Sequence, residues 1–169
     1  DVATAYVAFA ARPTAERVLD MGCGLGPVLL ILAWKLPEAR LAGVEAQAMS
    51  FELLQRNVAR SGFAARLTVA HGDLRDAELL ATLGQQFELI TGTPPYFPPE
   101  AALDAEDEQR AYARIEYRGG VEAYIEAGAR LLAPGGALVL CGDPRVGERT
   151  TWAANAAGFV IRAHCEVSA

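Results

Sequence analysis

Two short stretches carry residue types suited to chemistry on a bound ligand. The first is VLDMGCGLGPVLL, residues 18–30, where Asp20 precedes glycines at 22, 24 and 26 and an apolar run follows. That order reads as a strand, a tight turn and a helix. Glycines let a backbone turn sharply and approach a ligand with no Cβ in the way. The helix behind them offers unpaired N–H groups in its first turn. Asp20 interrupts an otherwise apolar strand, where an unpaired carboxylate is costly to bury; ordering a loop or meeting a ligand suits it better than packing. Twenty-three residues past Gly22, Glu45 ends a second apolar run, where a carboxylate can accept hydrogen bonds from both hydroxyls of a ribose. A glycine turn alone can equally be structural. The dinucleotide spacing G-x-G-x-x-G is not met, because its third glycine, counted from Gly22, falls on Pro27.

The second stretch is ITGTPPYFPP, residues 90–99. It is too stiff to extend a strand or begin a helix, but it can hold carbonyls and aromatic faces in fixed positions. Alone, the segment reads as well as a braced loop whose aromatics cap a core edge.

The elements that must position these residues alternate between strand and helix patterns, which predicts an α/β fold with a parallel sheet. Strands are expected at 17–21, 41–45, 67–71, 87–91, 137–141 and 160–167, and helices at 4–11, 27–36, 50–61, 120–133 and 147–157. In the third helix Phe51, Leu54 and Val58 share one face, and Gly62 is placed to end it. Val121, Tyr124, Ile125, Gly128, Leu131 and Leu132 share a face in the fourth. Pro134-Gly135-Gly136 reads as a turn before the fifth strand.

The chain has 169 residues, 52% of them hydrophobic, which is one domain by length. No apolar run reaches the roughly 18–20 residues of a membrane span. Cys23, Cys141 and Cys165 lack a spacing suited to zinc or a redox pair, so reduced thiols in a cytoplasmic protein are expected. His71 and His164 also lack partners at metal spacing; packing or capping suits them. The chain opens at Asp1 rather than Met, which points to residues missing at one or both ends. A net charge of −6 argues against general nucleic-acid affinity, which needs many cationic contacts.

The pattern D-x-G-C-G-x-G with a distal Glu resembles the S-adenosylmethionine loop of class I methyltransferases. The resemblance implies a Rossmann-like fold, a mostly parallel seven-stranded sheet with helices on both faces, of which six strands are expected here. It implies S-adenosyl-L-methionine as cofactor and no metal. Asp20, Gly22 and Gly24 would line the methionine part, with Cys23 and Gly26 in the same turn. Glu45 beside Ala46 would hold the ribose. Asp73 and Leu74 would meet the adenine, although Asp73 could instead cap a helix starting near Arg75.

The TPPY segment resembles the (Asn/Asp/Ser)-Pro-Pro-(Tyr/Phe) motif of enzymes that methylate adenine amino groups or the glutamine amide of release factors. The resemblance implies a planar amino nitrogen as substrate, a poor nucleophile because its lone pair is delocalised, and acceptors on its N–H groups raise its electron density and aim it. The Thr93 side chain and the Pro94 carbonyl would supply them, with Pro95 stiffening the segment, and Tyr96 would stack on the flat substrate, a contact worth about 1–3 kcal/mol per base. Together with VEAQAMSFELLQRNVARSGF, the GDL stretch and an insert ending ARIEYRGG, the segment is similar to the bacterial tRNA adenine N-6 methyltransferases of valine tRNA, over most of residues 1–142. That similarity makes Thr93, Pro94, Pro95 and Tyr96 the expected catalytic residues and tRNA the expected partner. Protein glutamine, a small molecule or a non-catalytic cofactor-binding role are the alternatives. Thr93 departs from the motif, since a hydroxyl is a shorter and poorer acceptor than an amide or carboxylate. One such bond is worth roughly 1–3 kcal/mol, against about 7–11 kcal/mol from positioning two reactants. The site would therefore be weakened or retuned, with Thr91 able to assist. Phe97, Arg114 and Arg118 are the expected substrate-side residues. Arg110, Arg114 and Arg118 would form one basic stripe on a helix, or a solvated face with Glu106 pairing Arg110. Asp104, Glu106, Asp107 and Glu108 nearby would repel a nucleic-acid backbone unless turned away.

Overall fold

The computed structural model describes residues 1–84, 86–97, 116, 117 and 119–166. The strands are β1 (Arg17–Met21), β2 (Arg40–Glu45), β3 (Leu67–His71), β4 (Phe87–Gly92) and β5 (Leu132–Leu140). They form one sheet in the order β3-β2-β1-β4-β5, and every pairing is parallel. Parallel neighbours need crossover connections. Helices α2 (Pro27–Lys35), α3 (Ala48–Arg60), α4 (Ala77–Thr82) and α5 (Val121–Leu131) lie between successive strands. Helix α1 (Val2–Ala11) precedes β1, and α6 (Gly147–Ala156) follows β5.

The period-two alternation of a strand divides the core. On β1, Val18 packs with Ala8 of α1, Leu29 and Leu32 of α2, and Leu54 of α3. Leu19 and Met21 point the other way, toward Leu80 of α4 and Ala127 and Leu131 of α5. Helices therefore cover both faces, and α6 packs on α5 through Ala153, Ala154, Val121 and Ile125. The α3 stripe is as the sequence implies: Leu54 and Val58 are buried and Phe51 packs against the same cluster. Proline opens α2 at a position where its missing N–H costs nothing.

Three expectations change. The segment 160–166 forms no strand, and Val160 is 71% exposed. A β pattern becomes a strand only where a neighbour completes its hydrogen bonds, and among the described residues nothing pairs with the outer side of β5; residue 167 lies outside the described residues. Strand β5 begins at Leu132 and carries Pro134-Gly135-Gly136 within it. Phe87 pairs with Leu132 and Leu89 with Ala137, so the expected turn is an irregularity inside the ladder. Finally, α4 is capped by Asp76, which accepts from the N–H groups of Glu78 and Leu79. Asp73 is not that cap. The expected basic stripe of Arg110, Arg114 and Arg118 lies outside the described residues. No helix among the described residues is long and apolar enough to cross a membrane.

Candidate functional site

The register aligns the strand tips. Met21 pairs with both Val44 and Gly92, and Glu45 pairs with His71. Asp73, Glu45, Gly22 and Thr93 therefore follow one another along the carboxyl edge of β3, β2, β1 and β4. At the usual spacing of parallel strands that row spans about 14 Å. Ligands of open α/β sheets bind along this edge. A cleft of about 270 Å³ opens there, lined by Asp20, Gly22, Cys23, Gly24, Val28 and Thr93 among others. The glycine turn and the first residue of the proline motif thus share one wall-to-wall space.

The turn is fastened from several sides. Gly26 caps α2 with φ of 88° and donates its N–H to the Cys23 carbonyl at 2.8 Å. Asn57 of α3 donates to the Leu25 carbonyl at 2.9 Å. Glu45, buried at the β2 tip, accepts from Gly24 N–H at 2.8 Å and from Gln47 N–H at 2.7 Å. Each carboxylate oxygen has a second lone pair, so the same group can fix the turn and still receive ligand hydroxyls. Cys23 is buried against Gly43. Burial, with Asp20 and Glu45 nearby, pushes its thiol pKa up, which leaves it a neutral packing group.

Asp20 is 3% exposed, and its Oδ1 accepts the Thr91 hydroxyl at 2.7 Å. Among the described residues its Oδ2 is buried with no hydrogen-bond partner. Burial pushes its pKa up to about 6, against the Thr91 bond and the Leu29 N–H that lower it, with Glu45 adding to the rise. A buried carboxylate with a free oxygen on a cleft suits a cationic ligand group. Thr91 is fully buried and engaged with Asp20, so it is not available to assist Thr93. That expectation is corrected.

Elsewhere on the edge, Asp73 accepts from Arg75 through its backbone N–H at 2.9 Å and forms a 2.8 Å ion pair with the guanidinium. Leu74 packs against the second core cluster, and the Ala46 carbonyl lies 3.2 Å from His71 Nε2. His71 itself stacks on Phe51. In the proline motif Thr93 is exposed on the cleft, Pro94 is buried, and Pro95, Tyr96 and Phe97 are half-buried. The rings of Tyr96 and Phe97 meet at 4.9 Å.

One contributor escapes a reading of motifs. Tyr124 of α5, legible in the sequence only as part of an apolar face, lies across the tips of β1 and β4. A Cβ on Gly92 would come within 2.7 Å of its ring, and one on Gly22 would overlap its hydroxyl. Gly22 also holds φ of 61°, a conformation that costs other residues about 1–2 kcal/mol. Gly22→Ala is therefore expected to weaken ligand binding in the cleft by about tenfold. Tyr124→Phe in the same background should recover part of the loss. Calorimetry on the single and double variants checks this, and a double variant no better than the single one would contradict the contact.

A five-stranded parallel sheet with helices on both faces, a glycine turn after β1 and a cleft at the strand tips is the architecture of Rossmann-like methyltransferases. The description "Methyltransferase small domain" fits residues 1–155, and the chain belongs to that family. Among curated relatives, the tRNA1(Val) (adenine(37)-N6)-methyltransferase of Porphyromonas gingivalis is 38% identical over 126 residues, covering 74% of this chain and 49% of its own length. The release factor glutamine methyltransferase of Geobacter sulfurreducens is 36% identical over 136 residues, covering 76% of this chain and 45% of its own. The chain thus spans about half the length of these relatives. In fold it is similar to the crystal structure of precorrin-6y C5,15-methyltransferase from Geobacter metallireducens, with a TM-score of 0.65 at 13% identity, covering 91% of this chain and 69% of that one.

Proposed function

We propose that this domain is an S-adenosylmethionine-dependent N-methyltransferase acting on a planar amino nitrogen, with adenine N-6 in tRNA as its substrate. The observation that carries the reading is the shared cleft, in which Asp20 and the glycine turn face Thr93. The residues present suit the cofactor. The unpartnered Asp20 oxygen would take the ammonium of the methionine part, Glu45 the ribose hydroxyls, and Asp73 with Leu74 the adenine end. Bound there, S-adenosylmethionine supplies an electrophilic methyl on a sulfonium.

The remaining work falls to the chain's own residues. Thr93 Oγ1 and the Pro94 carbonyl accept from the substrate amino group and aim its nitrogen at the donor. Pro94 and Pro95 keep that carbonyl fixed, and Tyr96 stacks on the base. The nitrogen loses its proton to solvent after transfer, so no dedicated base is needed. A tRNA substrate implies a cytoplasmic setting.

The tRNA choice is supported by the 38% identical relative of that name. A glutamine amide is the second reading, favoured by the release factor relative and by the same acceptor chemistry. Incubation with labelled S-adenosylmethionine, bulk tRNA and a glutamine peptide separates them: label in tRNA is expected, and label in peptide alone would overturn the choice. Thr93→Asn is expected to retain or raise transfer, because an amide oxygen reaches further than a hydroxyl. Complete loss would show a site built around the hydroxyl for a different substrate.

A further inference from the structure

The chain leaving β5 runs beside the chain leaving β4. Cys141 N–H donates to the Gly92 carbonyl at 3.0 Å, so residues 141–146 emerge next to Thr93–Phe97. In this second loop Asp143 holds Arg145 by its edge, Nε on Oδ1 at 2.8 Å and Nη2 on Oδ2 at 2.7 Å. The Arg145 guanidinium carbon then sits 5.1 Å from the centre of the Phe97 ring, the ring that packs on Tyr96. The Arg145 side chain is 70% exposed. The carboxylate uses only two of five guanidinium donors, leaving the outer edge of a planar fork open beside the proposed stacking residue.

An exposed ion pair contributes little to stability, whereas a guanidinium held flat and presented edge-on has the geometry that matches a phosphate. We propose that Arg145 is a substrate-binding residue, taking a backbone phosphate next to the base that stacks on Tyr96. This rests on the nucleic-acid reading of the site. Phe97 then serves as the platform that keeps the guanidinium level, rather than as a direct contact to the base. With a net charge of −6 this chain has no general attraction for a polyanion, so a single placed cation carries a measurable share of binding.

The experiment is tRNA binding by fluorescence anisotropy across a series of salt concentrations, for the wild type, Arg145→Gln and Asp143→Asn. Loss of one phosphate contact lowers the log–log salt slope by about 0.7–1. Arg145→Gln is expected to show that drop with about tenfold weaker binding at low salt and unchanged affinity for S-adenosylhomocysteine. Asp143→Asn, which keeps the cation but loosens it, is expected to weaken binding less and to keep the slope. A wild-type slope in Arg145→Gln would overturn the phosphate contact while leaving the enzyme reading intact. Loss of S-adenosylhomocysteine binding in that variant would overturn it in favour of a structural role. A wild type that ignores tRNA yet methylates a glutamine peptide would remove the nucleic-acid reading and this proposal together.

Discussion

Glu45→Ala is expected to weaken binding of S-adenosylhomocysteine by about a hundredfold in calorimetry at pH 7.5. Two roles meet at this carboxylate. Within the protein it anchors Gly24 N–H and Gln47 N–H, so it fixes both the glycine turn and the chain entering α3. In the proposed site its remaining lone pairs would take two ribose hydroxyls. Hydrogen bonds to a charged group are worth about 1.5–3 kcal/mol each, and a hundredfold corresponds to roughly 2.7 kcal/mol. Losing the ligand bonds and the preorganised turn together readily reaches that figure. Adenosine alone should lose about as much, since it keeps the ribose. Unchanged affinity for both ligands would contradict the ribose role and the anchoring role.

Asp20→Asn is expected to reverse the sign of the effect between the free and the bound protein. An aspartate ionises near 3.8 in an unfolded chain, but burial holds Asp20 protonated up to about 6. The folded state therefore binds more protons between those values, and stability falls as pH rises from about 4 to 6. A shift of that size corresponds to roughly 3 kcal/mol at neutral pH, which Asn removes. The variant without ligand should melt higher than the wild type at pH 7.5 and show a flatter pH profile. Binding runs the other way. A ligand ammonium needs the ionised carboxylate, so wild-type affinity for S-adenosylhomocysteine should be about tenfold weaker at pH 5 than at pH 7. The Asn variant should bind weakly and without that dependence, while adenosine, which lacks the ammonium, should bind both proteins alike. A wild-type affinity that stays level from pH 5 to 7 would contradict the placement of the ammonium at Asp20.

Much of this arrangement is written locally. The alternation of β1, the glycines behind it and the stripe of α3 are patterns within a few residues, and β1 and β3 begin and end where their residue types change. What is less legible depends on partners distant in sequence. The apolar alternation of 160–166 resembles that of a strand, but among the described residues it finds no ladder beside β5. Helix α4 is a single short turn and a half, too brief for a helical period to stand out from its neighbours. The Pro-Gly-Gly stretch reads as a turn before the fifth strand, but the strand begins at Leu132 and the stretch is an irregularity inside its ladder with β4. Thr91 looks available beside Thr93 until the β1–β4 register brings Asp20 to its hydroxyl. Tyr124 carries no motif, and Asn57, though it lies in the stretch similar to the tRNA methyltransferases, shows its hold on the Leu25 carbonyl only once α3 packs beside the glycine turn.

In the proposed reaction one crevice at the tips of β1 and β4 receives both the methyl donor and the amine acceptor. A crystal structure of the protein with S-adenosylhomocysteine tests it most directly. The amino acid part is expected against Asp20 and Gly22–Gly26, the ribose on Glu45, and the sulfur facing Thr93 across the cleft. Nucleoside density elsewhere on the molecule, or a sulfur turned away from the Thr93-Pro94 segment, would contradict it.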